Sequence, residues 1–263
     1  MKSREEMSRT VRQLAVGWAS RVGHFVPPPL PPDFEPEVGR TIRDVRRYTM
    51  TSPRRIAALV DSVEYVVRND VPGAFVECGV WRGGSMMAVA LTLKRLGVSD
   101  RDLYLFDTFA GMPPPTEEDK FSAYDGYSPV KHWKKRQQGD VNTWHFVPAE
   151  RVRETIESTG YDPARIHLVE GKVAETVPAG APEEIALLRL DTDWYESTRH
   201  EMEHLFPRLS VGGALILDDY GHYEGARRAV DEYVAASGER LHLARVDYTG
   251  RVGIRQPPPS PSA

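Results

Sequence analysis

The sequence predicts an α/β domain built on a mostly parallel sheet, and three observations carry that expectation. Short apolar runs recur at Ala74–Cys78, Leu103–Asp107, Ile166–Val169, Ile185–Asp191 and Ala214–Asp218. Gly83–Leu96 connects the first two, while helical patterns and longer loops fill the later gaps, which implies parallel strands covered by helices on both faces. Two final runs, Leu241–Val246 and Arg251–Arg255, flank Asp247-Tyr248-Thr249-Gly250, whose turn chemistry suits an antiparallel hairpin.

Length and composition fit that reading. A chain of 263 residues, 40 % hydrophobic, can bury one large core with decorations. The net charge of −4 argues against a nucleic-acid groove, and Lys134-Lys135-Arg136 reads as a solvated loop. A single cysteine, Cys78, excludes an internal disulfide framework and lies in an apolar run, as an inert buried thiol does. No signal peptide or membrane-spanning segment is visible, so the cytoplasm is expected, with no membrane partner.

Proline marks the organisation. Val26–Pro36 and Pro257–Ala263 are too proline-rich for packed secondary structure. The expected division is an N-terminal part, 1–40, made of a helical arm over roughly 4–22 and a linker; a body, 41–256; and a frayed tail, 257–263. The arm offers a surface for homo-oligomer formation. Residues 112–150 show little periodicity and many Pro, Gly, Tyr, Lys and Trp, and a loop of that length inside a compact domain reads as a lid over a site.

The first strand runs into Glu77-Cys78-Gly79-Val80-Trp81-Arg82-Gly83-Gly84-Ser85, followed by a helix. Glycines in such a turn let the backbone approach a ligand, and the helix start offers free amides. The dinucleotide spacing Gly-x-Gly-x-x-Gly is missing, which disfavours an NAD-dependent oxidoreductase. Asp107 ends the second strand, where a carboxylate can accept both ribose hydroxyls of a nucleoside.

The strongest chemistry lies in Leu190-Asp191-Thr192-Asp193-Trp194-Tyr195 and Leu217-Asp218-Asp219-Tyr220. Each follows an apolar strand, and one helix, roughly 195–207, joins them. The strands should then be neighbours about 4.8 Å apart with their carboxyl ends on one rim, where ligands bind in open α/β sheets. Asp191, Asp218 and Asp219 can converge there, with Asp193 close by. Carboxylates gathered without visible cationic partners repel one another, and a hard divalent cation relieves the repulsion. Oxygen-only ligands favour Mg²⁺ over zinc. A non-catalytic nucleoside-binding scaffold is disfavoured, because such a cluster costs stability without a function.

His200-Glu201-Met202-Glu203-His204 matches the zinc-protease pattern His-Glu-x-x-His, but the helical wheel rejects it. Met202, Leu205, Phe206 and Leu209 define the buried stripe, and both histidines fall about 160° from Met202. His222, just past the second acidic pair, can touch substrate.

Taken in order, Glu77–Gly84, Asp107-Thr108-Phe109-Ala110-Gly111-Met112-Pro113, Arg189–Tyr195 and Leu217–Tyr220 resemble the macrocin O-methyltransferase (TylF-type) family, over about Thr49–Arg255. The resemblance implies a Rossmann-like class I methyltransferase fold with a seven-stranded sheet. It also implies transfer of a methyl group from S-adenosylmethionine (SAM) to a sugar hydroxyl of a bacterial secondary metabolite, with Mg²⁺. Carried over by position, Asp191, Asp218 and Asp219 would ligate the metal and Asp193, or Asp191 itself, would be the general base. Glu77, Gly79, Val80, Trp81, Arg82, Gly83, Ser85 and Asp107 would contact SAM, with Gly171, Lys172 and Val173 on the adenine side. Thr49–Ser52 resembles a segment bordering the site, so Met50, Thr51, Tyr195, Tyr220 and His222 are the acceptor candidates. The acceptor would be a glycosylated natural product; a catechol-like phenolic diol is the rival, because a vicinal diol on a metal serves both.

Overall fold

The computed structural model describes residues 30–120 and 128–257. The expected N-terminal arm, part of the expected lid (121–127) and most of the tail lie outside the described residues. The chain divides into two units, Met1–Phe34 and Glu35–Ala263, and the helices and strands of the described residues all lie in the second. This unit begins earlier than the sequence suggests, because a helix, α1 (Pro36–Val45), starts at the last proline of the linker. Proline is compatible with a first helical turn, where its missing amide has no partner to lose. Val38, Ile42 and Val45 form its buried stripe. Ser52 then caps α2 (Pro53–Arg68), its hydroxyl accepting the Arg55 amide at 3.2 Å.

The main sheet has seven strands, six running one way and a single one, the last in the chain, running against them. In chain order they are β1 (Ala74–Cys78), β2 (Leu103–Asp107), β5 (Ile166–Glu170), β6 (Ile185–Leu190), β7 (Leu209–Leu217), β8 (Leu241–Arg245) and β9 (Arg251–Arg255), while β3 (Gln137–Gln138) and β4 (Val141–Asn142) form a separate ribbon. The spatial order of the main sheet is β5-β2-β1-β6-β7-β9-β8. The order reverses between β1 and β6, the place where open α/β sheets bind ligands beyond their carboxyl ends. β1 and β6 are buried along their whole length, as central parallel strands covered on both faces must be. β7 starts earlier than Ala214, because Gly212 and Gly213 extend the strand where their composition suggests a turn.

The helices α3 (Gly84–Arg95), α7 (Tyr195–His204) and α8 (Glu224–Ser237) make the crossovers after β1, β6 and β7. α7 ends at His204 rather than 207, and Phe206–Arg208 form a 3₁₀ turn around Pro207. Met202, Leu205, Phe206 and Leu209 are fully buried, as the helical wheel requires. Between β2 and β5 lie α4 (Pro129–Lys134), the β3–β4 ribbon and α5 (Ala149–Glu157), and after β5 comes α6 (Val173–Thr176). Among the described residues no helix is long and apolar enough to cross a membrane.

Gly79 fixes how closely the rim closes. It follows β1 with φ +83°, and a Cβ there would run into the Asp191 carbonyl oxygen. Both the backbone conformation and the space demand glycine. Gly79→Ala should lower stability by about 3 kcal/mol or more, a strained-backbone penalty added to a steric one. Urea unfolding of purified variant and wild type checks this, and an unchanged midpoint refutes it.

Candidate active site

The carboxyl ends of β1, β2, β6 and β7 open into one cavity of about 360 Å³. Gly79, Val80, Trp81, Gly84 and Ser85 line it from the β1 turn, Asp107 from β2, Gly171–Val173 from the β5 end, and Asp191, Asp193, Asp218 and Asp219 from β6 and β7. Met50, Thr51 and His222 also line it. Glu77, Arg82 and Gly83 do not: Glu77 is buried beneath the turn, and the exposed Arg82 lies over the Trp81 ring. Tyr195 and Tyr220 turn away as well. Their hydroxyls donate to Glu232 (2.7 Å) and Asp231 (2.6 Å) on α8, so both tyrosines face the neighbouring helix and not the cavity.

On the nucleoside side, Asp107 organises two loops. Its Oδ2 accepts the Val80 and Trp81 amides (2.7 and 3.2 Å), and its Oδ1 accepts the Phe109 amide (2.8 Å). The carboxylate thereby ties the β1 turn to the β2 loop at the wall of the cavity.

The acids are not left without cations, which corrects the expectation from the sequence. Arg189 is buried in β6, in register with Glu77 on β1. Its Nη1 donates to Glu77 Oε1 (2.6 Å) and Asp191 Oδ2 (2.7 Å), and its Nη2 to Asp218 Oδ1 (2.6 Å) and Thr51 Oγ1 (3.0 Å). Arg55 of α2 pairs with Asp218 Oδ2 and reaches Asp247 at 3.2 Å. Asp218 therefore has an arginine on each oxygen. The residues whose carboxylate oxygens converge are Asp191, Asp193 and Asp219, within 4.8 Å of one another and the only such metal-competent group among the described residues. Asp193 reaches it through a left-handed backbone, φ +66°, a conformation aspartate tolerates better than most residues.

Electrostatics distinguish the members of this group. Burial raises Glu77 to about 8 despite Arg189, and Asp191 to about 6. Burial and the neighbouring charges, Asp191 for one and Asp193 for the other, push Asp193 and Asp219 well above the usual carboxylate range. Asp219 lies within 4.8 Å of both neighbours, and carboxylates gathered that closely cannot all ionise cheaply. Its Oδ2 is buried without a partner, and three convergent oxygens with one unsatisfied suit a small divalent cation.

A cover lies over the acidic turn. Trp194 Nε1 donates to the Pro113 carbonyl (3.0 Å) and Trp133 Nε1 to the Met112 carbonyl (2.7 Å). Trp144, Trp194 and Tyr223 pack edge to face. Buried Asp119 accepts the Tyr195 amide on Oδ1 (2.7 Å) and so caps the start of α7, in space that a side chain at Gly225 would fill. His145 also lines the cavity, as a neutral ring: Trp144 Nε1 donates to its Nε2 (3.1 Å), and burial lowers its pKa to about 4. Sequence patterns gave no role to Arg55, Asp119 or His145. Arg189 did carry a signal, as a charge inside a six-residue strand that is otherwise apolar.

In the histidine pair of α7, His200 bonds the Val177 carbonyl (2.9 Å), and its ring lies 4.3 Å from that of His204.

A seven-stranded sheet of this order, with a nucleoside-type turn and rim acids sharing one cavity, defines a class I SAM-dependent methyltransferase fold. The structure of the O-methyltransferase NovP has it too, with a TM-score of 0.70 and 31 % identity, covering 82 % of this chain and 88 % of that one. The chain belongs to the macrocin-O-methyltransferase (TylF) family, whose profile matches residues 35–253, and is an O-methyltransferase. It is 34 % identical over 220 residues to the 8-demethyl-8-(2,3-dimethoxy-α-L-rhamnosyl)-tetracenomycin-C 4′-O-methyltransferase of Streptomyces olivaceus (83 % of this chain, 80 % of that protein). It is 32 % identical over 219 residues to the demethyldecarbamoylnovobiocin O-methyltransferase of Streptomyces niveus (82 % and 80 %).

Removing Arg189 should be severe. Arg189→Met leaves buried Glu77 and Asp218, and the partly exposed Asp191, without their shared cation, a loss of about 3–5 kcal/mol. Thermal unfolding of the variant should show a markedly lower midpoint, and a change within a few degrees contradicts the assignment.

Proposed function

We propose that the chain transfers the methyl group of SAM to a sugar hydroxyl of a glycosylated natural product, with a divalent cation of the Mg²⁺ type at the acidic rim. One observation carries this reading: the nucleoside turn with Asp107 and the convergent acids Asp191, Asp193 and Asp219 line a single cavity. The two Streptomyces relatives act on rhamnosylated tetracenomycin and on a novobiocin precursor, and a third relative is the mycinamicin III 3″-O-methyltransferase of Micromonospora griseorubida, 30 % identical over 203 residues. These names support a sugar hydroxyl over a phenolic diol.

In this reading Asp107 takes the ribose hydroxyls, the Gly79–Ser85 turn faces the methionine end, and Gly171–Val173 flank the adenine. Asp191 and Asp219 would hold the cation. Asp218 stands behind them, with a second lone pair on each oxygen beyond its arginine contacts. A cation bound there would supply Lewis acidity, lowering the pKa of a hydroxyl that is otherwise far too weak an acid to ionise. Asp193 accepts the hydroxyl proton as the oxygen attacks the sulfonium methyl, and S-adenosylhomocysteine leaves as a neutral thioether. Thr51, Met50 and His222 border the acceptor, and the cover excludes water from the reacting pair.

Labelled SAM, assayed against a panel of glycosylated natural products and a catechol, tests the reading. EDTA should abolish methyl transfer and Mg²⁺ restore it. Activity that survives EDTA refutes the cation, and faster turnover of the catechol than of any glycoside refutes the sugar. Asp193→Asn should lower kcat by about a hundredfold or more, with SAM affinity retained; an unchanged rate removes Asp193 from the role.

The acidic rim also predicts a pH dependence. Protons compete with a cation for these oxygens, and Asp191 titrates near 6 rather than 3.8. Because the folded pKa is raised, ionisation opposes folding as pH climbs through that window, and a bound cation offsets the penalty. Mn²⁺ affinity should therefore rise steeply between about pH 5 and about pH 7, with protein stabilisation by Mn²⁺ rising in parallel. A flat profile in a Mn²⁺ titration contradicts this.

A further inference from the structure

The His200–His204 stretch holds something other than the zinc site its spelling suggests. Its central residue, Glu201, is completely buried on the inner side of α7. Oε2 accepts a hydrogen bond from the Thr192 hydroxyl at 3.0 Å, and Oε1 is buried without a partner. Burial pushes the carboxyl well above the usual range. A buried carboxyl is costly whatever its charge, and a leucine of similar volume would fill the space without that cost. Cys78 lies beside the carboxyl, whose hydroxyl partner is Thr192, so a polar group kept there at a stability cost points to that contact.

That contact falls on the residue between Asp191 and Asp193. The turn needs support, because Asp193 holds a left-handed backbone that persists only where its surroundings over-determine it. From the cover, Pro113 and Asp119 fix the following residues, Trp194 and Tyr195. Within the turn, the Trp194 amide donates to the Thr192 carbonyl (2.8 Å). From the α7 side, Glu201 holds the Thr192 side chain. We infer that Glu201 is a positioning residue: bonded to Thr192, it fixes the Asp191–Asp193 turn so that both carboxylates are set for a divalent cation. The inference rests on the cation reading of the acidic rim. Groups that orient a metal's ligands through one intervening contact typically change metal affinity 10- to 100-fold when removed.

The test compares wild type, Glu201→Gln, Glu201→Leu and Thr192→Val by Mn²⁺ binding from water-proton relaxation, S-adenosylhomocysteine binding from calorimetry, and thermal unfolding. Glutamine keeps a neutral carbonyl acceptor for Thr192 and should hold Mn²⁺ within about twofold of wild type. Glu201→Leu and Thr192→Val should each weaken Mn²⁺ by about tenfold or more while S-adenosylhomocysteine affinity stays within about twofold. Thr192→Val carries the test if the leucine variant does not fold. Wild-type Mn²⁺ affinity in both Glu201→Leu and Thr192→Val overturns the inference, as does equal loss of both ligands, which indicates general loosening. Glu201→Gln as weak as Glu201→Leu also overturns it. A wild-type chain that takes up no Mn²⁺ overturns the cation reading and this inference with it.

Discussion

One guanidinium in the middle of the sheet governs the arrangement of the site. Arg189 bonds carboxylates on β1, β6 and β7, together with Thr51 ahead of α2. Without it, buried Glu77 and Asp218 and the partly exposed Asp191 would face one another with no shared counter-charge. Desolvated charges of one sign are tolerated only when a counter-charge satisfies them with good hydrogen-bond geometry, and the planar fork of arginine can serve several carboxylates at once. The same contacts align the carboxyl ends of three strands, so the charge balance of the site and the registration of its rim are a single feature. Arg55 extends the balance outward through Asp218 to Asp247, where Ser52 Oγ also donates at 2.6 Å.

Sequence patterns revealed the framework because they are local. Apolar strands that end in acids, joined by one helix, require neighbouring parallel strands, and Leu190 does pair with Leu217 at the rim. The late hairpin was legible in the Asp247–Gly250 turn. What stayed hidden depends on distance along the chain. The partner of Asp218 lies 163 residues away on α2, and nothing near Asp218 announces it. The facing of Tyr195 and Tyr220 is decided by acceptors on α8, which a rim motif does not contain. Asp119 lies in a stretch without periodicity, and its importance follows only from the helix start it reaches. Glu201 misled in another way: the wheel assigned its neighbours to core or solvent by hydropathy, and a buried carboxyl has the wrong hydropathy for its position.

Two kinds of support therefore meet at Asp191–Asp193. Beneath lies the sheet, whose burial and arginine pairing are built into strands of long-range register. Above lies a cover fastened by individual hydrogen bonds to tryptophan indoles and one aspartate. The first kind of support breaks only when the fold does. The second rests on a few directional bonds and one aromatic cluster of Trp144, Trp194 and Tyr223, with Met112 and Trp133 packed against it.

The bond from the Tyr195 amide to Asp119 links these two layers directly. The helix that begins two residues after Asp193 has its first amide held by Asp119, and the indole of Trp194 between them is held by the Pro113 carbonyl. The segment after β2 and the acidic turn are therefore fastened into one hydrogen-bonded unit, and a change in either is felt by the other.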